Sequence, residues 1–423
     1  MSHQRNIHDP IEMLEDDLLD RQAFAEQILM RLKSEDCPPA VGIYGSWGTG
    51  KTSLLKLLNL KGKQACEEIH IEEFDAWQYE GVGNLFIPII VRLIKLAGED
   101  AESNKWGEAA KRLVYVTTLA ATSAIANQII GIGIPEIQGY FDRKESITPD
   151  ARWKNLTDEI KETSAAFEKL IENVLQNKKT KKLVLCIDNL DRCSPENVVH
   201  LLESVKNFVG GDNCVWVFAM DSGVIASYIF HKYEGTNVDS YSYLDKIIPE
   251  QYHLSINNEQ LASFVNDIFT PEFRELAYFD WTSYAHIPRV LAPRRIIKTV
   301  MKFEHYIKNP NSRHLKADLV FKLILLYHSW PDFYEQFSCN SSESIGRILL
   351  NFTDESIKAM WKSRFQLATP LTDRYKNDSE LTYFLQQAFL ASGRSTDDTS
   401  FVPEDMLRDI YWAILDLRQI GLP

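Results

Sequence analysis

Apolar positions in the first third of the chain follow two rhythms. Residues 9 to 35, "DPIEMLEDDLLDRQAFAEQILMRLKSE", repeat them every three or four positions, with Phe24, Ile28 and Leu32 on one side. That spacing predicts an entry loop and an amphipathic helix, which Pro38 and Pro39 end. Val41 to Tyr44 is then a short apolar run of the kind a buried strand has, and a leucine-rich helix, Ser53 to Leu60, follows closely. In "IHIEEFDAWQYEG", Ile69, Ile71 and Phe74 predict a second strand, and Leu85 to Leu96 an apolar helix. Leu183 to Ile187 and "CVWVFAM" are continuous apolar runs that suit a parallel sheet covered on both faces. They end in Asp188 and Asp221, and "QYHLSI" (251 to 256) supplies a fifth strand. Strands alternating with helices over long connections predict an α/β fold with a parallel sheet. From about 257 the pattern is helical to the C-terminus. The expected division is an α/β domain over 1–256, with a helical insertion at about 81–180, and an all-helical region over 257–423.

Residues 113 to 134, "LVYVTTLAATSAIANQIIGIGI", carry no charge and follow Lys111 and Arg112, so their length and flank would suit a bilayer. Thr117, Thr118, Thr122, Ser123, Asn127 and Gln128 make the segment polar for a spanning helix. A single crossing would also put the strands before and after it on opposite sides of the membrane, although they must share one sheet. The expectation is a helix buried in protein or at a partner interface, with peripheral membrane contact left open and no span. Residues 150 to 176 predict a polar amphipathic helix ending in the basic run "NKKTKK".

Composition narrows the function classes. The net charge of −13 argues against general nucleic-acid binding, which needs a basic footprint. The six cysteines show no CxxC spacing, and Cys186 and Cys214 lie inside apolar runs. Buried free thiols in a reducing, cytoplasmic setting are the expectation. The polar, acidic start "MSHQRNIHDPIEMLEDD" has no signal-peptide pattern.

The stretch "GSWGTGKTS" carries the chemistry. Gly45, Gly48, Gly50, Lys51 and Thr52 fit GxxxxGK(S/T), with Ser46, Trp47, Thr49 and Ser53 completing the loop. Such a loop curls so that successive backbone N–H groups point at phosphate oxygens, which side chains at the glycines would obstruct. Lys51 would reach the β- and γ-phosphates, and the Thr52 hydroxyl would hold Mg²⁺. The helix that follows points its positive end at the same anion. Four fixed positions match by chance in roughly one per cent of chains this long, and the strand-loop-helix context lowers that further. Asp188, at the C-terminal edge of its strand, can reach the same Mg²⁺. Ser194 is a candidate N-cap, with Pro195 opening a helix that runs to about Phe208.

Together the motifs resemble the KAP P-loop NTPases, an additional-strand class whose core is ordered 5-1-4-3-2. The resemblance rests on Asp17, Leu18 and Leu19 before the loop, "GSWGTGKT", "FDAWQYEG" at 74–81, and "IDNLDRCSPE" at 187–196, which is similar to the family's DDLDR signature. "YLDKII" at 243–248 and "APRRIIKTVMKF" at 292–303 match later landmarks, so roughly residues 10 to 305 are covered. It implies ATP and Mg²⁺ as cofactors, hydrolysis, and a helical lid and partner-binding region after the core. It also implies self-association and a companion effector protein. Bacterial members are associated with phage exclusion and antiviral operons, so an ATP-driven switch in antiphage defence is the reading it carries. An ATP-holding scaffold is the alternative.

One position departs from the pattern. Asn189 stands where a second acid is common, and an amide cannot take a proton from attacking water. Asp191 is the first candidate for that task, with Asp75 and Glu80 behind it. Arg192, Arg294 and Arg295 are candidates for sensing or neutralising γ-phosphate charge, and of the last two Arg294 is the one that matches the family motif. Asp221 is read either as a sensor or as the cap of the next helix.

Overall fold

The longest unbroken apolar runs become the middle of the sheet. In the computed structural model β1 (Ala40–Tyr44), β3 (Lys182–Asp188) and β4 (Cys214–Met220) are buried along their whole length. β2 (Ile69–Asp75) mixes buried and half-buried positions, and β5 (Glu250–His253) has no buried position, being half-buried up to Tyr252 and exposed at His253. All neighbours pair in parallel, in the order β2-β3-β4-β1-β5, so the two weakly apolar strands are the edges. This is the expected order read from the other side. The structure describes residues 10–64, 68–98, 149–207, 213–256, 258–269, 281–284, 287–309, 316–338, 341–352, 375, 377–390 and 404–422, with side chains of the 149–178 helix from 164 onward.

Alternation along each central strand feeds two cores. Leu183, Leu185 and Ile187 of β3 and Trp216, Phe218 and Met220 of β4 face one side. Val184, Cys186, Val215, Val217 and Ala219 face the other. The second side is covered by α1 (Gln22–Lys33), through Ala25, Ile28, Leu29 and Leu32, and by α2 (Lys51–Gln64), through Leu54, Leu55, Leu57 and Leu58. The first side is covered by α3 (Phe86–Leu96), α4 (Pro149–Lys178), α5 (Pro195–Asn207), α6 (Ser222–Lys232) and α7 (Ser240–Ile247). Trp216 anchors that side, stacked with Phe86 and Phe167 at 6.2 Å each. Each fully buried side chain of this size contributes roughly 1.5–3 kcal/mol. Cys186 and Cys214 are free and fully buried, and burial raises both thiols, Cys214 to about 12.

Several boundaries differ from expectation by a few residues, and those at the start of α2 and the end of β5 bear on the site. α2 begins at Lys51 rather than Ser53, so Lys51 and Thr52 are themselves in the first turn of the helix. β5 ends at His253: Leu254 N–H still donates to Tyr44 O at 2.7 Å, and the chain then leaves the sheet. An edge strand with half-exposed side chains has no burial to extend it.

The described residues divide at Leu254/Ser255. The later unit is helical, including Asn258–Ile268, Pro293–Lys308, Ala317–Ser329, Pro331–Ser338, Ser342–Leu350 and Glu404–Gln419. Its core is aromatic, with Phe303, Tyr306, Phe321, Phe333, Tyr334 and Phe337 fully buried. No described helix is long and apolar enough to cross a membrane. The segment 113–134 lies outside the described residues, as do residues 99–148 of the expected insertion at 81–180.

Candidate functional site

The loop between β1 and α2 has backbone that only glycine adopts easily. Gly48 has φ 84° and Gly50 φ 93°, both left-handed, and a Cβ on Gly45 would sit 2.5 Å from the Thr49 hydroxyl. The backbone N–H groups of Trp47, Gly48 and Gly50 have no acceptor among the described residues. Unpaired N–H groups at a helix N-terminus are an anion cradle.

Lys51 is 7% exposed, and its ammonium donates to Gly45 O at 2.8 Å, Ser46 O at 3.4 Å and Asp191 Oδ2 at 3.3 Å. Three donors meet three acceptors, so the charge is fully occupied. The partner carboxylate is 4% exposed, which makes Lys51–Asp191 a buried ion pair. Thr52 donates its hydroxyl to Asp188 Oδ2 at 2.6 Å, and the other Asp188 oxygen accepts Asn189 N–H at 2.8 Å. Burial raises the Asp188 carboxyl above its usual range, against those hydrogen bonds and the charge of Lys51, while Asp75 raises it further. A hydroxyl and a buried carboxylate oxygen in contact are hard donors of the type Mg²⁺ takes, and it completes its shell with waters and phosphates. The described residues hold no group of three or more His, Cys, Asp or Glu that could hold a metal ion.

Asn189 has φ 60°, a left-handed conformation that asparagine tolerates. This turns the chain out of β3 and lets its amide donate to Asp75 Oδ1 at 3.0 Å. Asp75 lies directly opposite Asp188 in the β2–β3 register. It also accepts Trp77 N–H at 3.1 Å and Gln78 Nε2 at 3.3 Å. An amide at 189 therefore holds a second carboxylate beside Asp188 instead of adding a third.

Other candidates have structural tasks. Glu80 accepts the Ser194 N–H at 2.9 Å, at the start of α5. Burial raises Glu80, but hydrogen bonds from Ser194, Asn197 and Cys193 outweigh it and hold the carboxyl below the usual range. Asp221 is a helix cap, its Oδ1 accepting Gly223 N–H at 3.0 Å and Val224 N–H at 3.4 Å. Arg294 and Arg295 belong to the later unit, where Arg294 is exposed at the start of its helix and Arg295 donates to Arg289 O at 2.5 Å. Arg192 lies within the unit that carries the loop, its guanidinium 5.1 Å from the Trp47 ring centre.

One residue was missed from sequence. Arg21, 4% exposed, donates Nη1 to Thr49 O at 2.6 Å, while its own N–H donates to Asp17 at 2.6 Å. A Cβ on Gly50 would lie 2.7 Å from that Nη1, so the arginine braces the phosphate loop. Burial lowers its pKa to about 10, with Asp17 acting the other way. The available signal was an arginine four places after Asp17, in "DLLDR".

The chain matches the KAP family P-loop domain over residues 21–287. It is 26% identical to an uncharacterized protein of Methanocaldococcus jannaschii, in an alignment covering 33% of this chain and 86% of that protein. Among solved structures it is similar to the ORC2 protein of Aeropyrum pernix, determined as ADPNP–ADP complexes, at 12% identity. That comparison covers 99% of both chains with a TM-score of 0.35, too low to support a functional inference.

Proposed function

The chain belongs to the KAP family of P-loop domains, and we propose that it is a Mg²⁺-dependent ATPase whose nucleotide state acts as a switch in a larger assembly. The observation that supports this most is the pairing of Thr52 with Asp188 beside the Lys51–Asp191 ion pair. Four residues of the kinds that nucleotide chemistry needs meet at the ends of β1 and β3. Mg²⁺, when bound, would be held by Thr52 and Asp188 and would neutralise phosphate charge.

Lys51 can meet a phosphate only by giving up an acceptor it now holds. Leaving Asp191 is the change that matters, because it frees a carboxylate next to where the terminal phosphate would lie. Asp191 is then placed to accept a proton from attacking water. The same exchange alters the turn after β3, giving binding a mechanical consequence. Gly45, Ser46, Trp47, Gly48, Thr49, Gly50 and Ser53 form the rest of the cradle.

The second reading, a scaffold that holds ATP and rarely cleaves it, is favoured by Asn189. Single-turnover hydrolysis of Mg·ATP by the full chain separates the two. Measurable cleavage that disappears in Asp191→Asn supports the enzyme, and binding without cleavage supports the scaffold.

We further propose that ATP promotes self-association or docking to a companion effector, in antiphage defence as the family resemblance suggests. A neighbour's arginine typically adds about 10³-fold or more to hydrolysis in such proteins. Arg294→Ala is expected to bind ATP without turnover, and mixing it with Lys51→Ala should partly restore activity if the arginine acts in trans. An unchanged rate for Arg294→Ala alone would end that part of the proposal.

A further inference from the structure

Arg192 closes the 3₁₀ turn Leu190–Arg192, and three separate segments meet at its side chain. Its guanidinium carbon lies 5.1 Å from the ring centre of Trp47, in the phosphate loop, and 5.2 Å from that of Trp77, in the turn after β2. The guanidinium has no hydrogen-bond or ion-pair partner among the described residues, and its Nε is buried without an acceptor. The two other cations at the loop differ in this respect. Lys51 is occupied by three acceptors, and Arg21 holds the Thr49 carbonyl. Among the described residues, Arg192 is thus an uncommitted charge beside the cradle.

Ordinary packing does not account for this arrangement. Trp47 and Trp77 are 57% and 53% exposed, so neither ring is a core residue that happens to meet an arginine. Each holds the cation over its π-face, an attraction that needs no hydrogen bond. Guanidinium N–H donors lie in the plane of the group, so a ring on the face leaves the edge available for oxygen acceptors. Location then selects the acceptor. Trp47 belongs to the loop whose N–H groups await an anion, and the preceding residue, Asp191, touches the phosphate-binding lysine.

We propose that Arg192 reads the terminal phosphate of a bound nucleoside triphosphate in cis, with Trp47 and Trp77 as the platform that positions it. The proposal rests on the nucleotide reading above and deepens it. Discrimination between triphosphate and diphosphate is thereby built into the α/β unit itself, whatever the arginines of the later unit do. Trp47 and Trp77 act through Arg192 and are positioning residues.

The test is calorimetry on the full chain with Mg²⁺, titrating ADP and a non-hydrolysable ATP analogue into the parent, Arg192→Ala, Arg192→Lys and Trp77→Ala. Arg192→Ala should lower the preference for triphosphate over diphosphate by about tenfold, with ADP affinity almost unchanged. Arg192→Lys should not restore the preference, because lysine lacks the planar edge. Trp77→Ala should shift it in the same direction by less. Melting curves for each variant identify any that fail to fold, and the exposed Trp77 keeps one variant free of that problem. An unaltered preference in Arg192→Ala, or equal weakening of both ligands, would overturn the proposal. A parent that binds neither nucleotide would overturn the nucleotide reading itself, and this proposal with it.

Discussion

β3 and β4 look alike in sequence and end differently. Both are seven-residue, fully buried runs followed by or closing on an aspartate at the C-terminal edge of the sheet. Asp221 is followed at once by α6, whose first N–H groups take up its carboxylate. Asp188 is followed by Asn189 in a left-handed conformation, so only the 3₁₀ turn Leu190–Arg192 starts there, its cap is Asn189, and the carboxylate turns to Thr52. The turn after the strand, more than the strand or its terminal acid, decides which aspartate is available for chemistry.

The strongest way to break that comparison is to remove each acid in turn. Asp188→Ala should lower Mg²⁺-dependent turnover by about 10³-fold or more, since the proposed metal ligand is lost. Asp191→Asn should come next, keeping ATP affinity while losing about 10²-fold or more of the single-turnover rate. Equal rates in Asp191→Asn and the parent would remove Asp191 from the chemistry.

Asn189→Asp sharpens the picture through two effects of different sign. An added acid should raise the single-turnover rate if water activation limits it. The lost hydrogen bond to Asp75, together with three carboxylates in one place, should lower the melting temperature. A rate at or below the parent's would exclude Asn189 as a cause of slow hydrolysis. The smallest effect belongs to Asp221→Ala. Loss of the cap should cost about 1 kcal/mol of stability and leave turnover within about twofold. A large loss of turnover there would return Asp221 to the site.

What was legible in sequence depended on local repetition. Unbroken apolar runs mark β1, β3 and β4, and the glycine spacing marks Lys51 and Thr52 as candidates. Contacts between distant segments left no such trace. Arg21 grips Thr49 across 28 positions, and Glu80 reaches the start of α5 across 114, each with a side chain that also suits solvent. The meeting of Trp47, Trp77 and Arg192 was hidden for the same reason, although the three motifs that bring them together were each visible. Asp221 stayed ambiguous because a cap and a sensor use the same residue at the same strand end. The end of β5 was misplaced because "LSI" continues the apolar pattern after the pairing with β1 has stopped.

The central claim is that the loop between β1 and α2 binds a Mg²⁺–nucleotide through Lys51. Calorimetric titration of Mg·ATP into the parent and Lys51→Ala, both checked for folding by melting curves, tests it most directly. The account predicts binding by the parent and loss of most of that affinity in the folded variant. Equal affinity in the two proteins would contradict it.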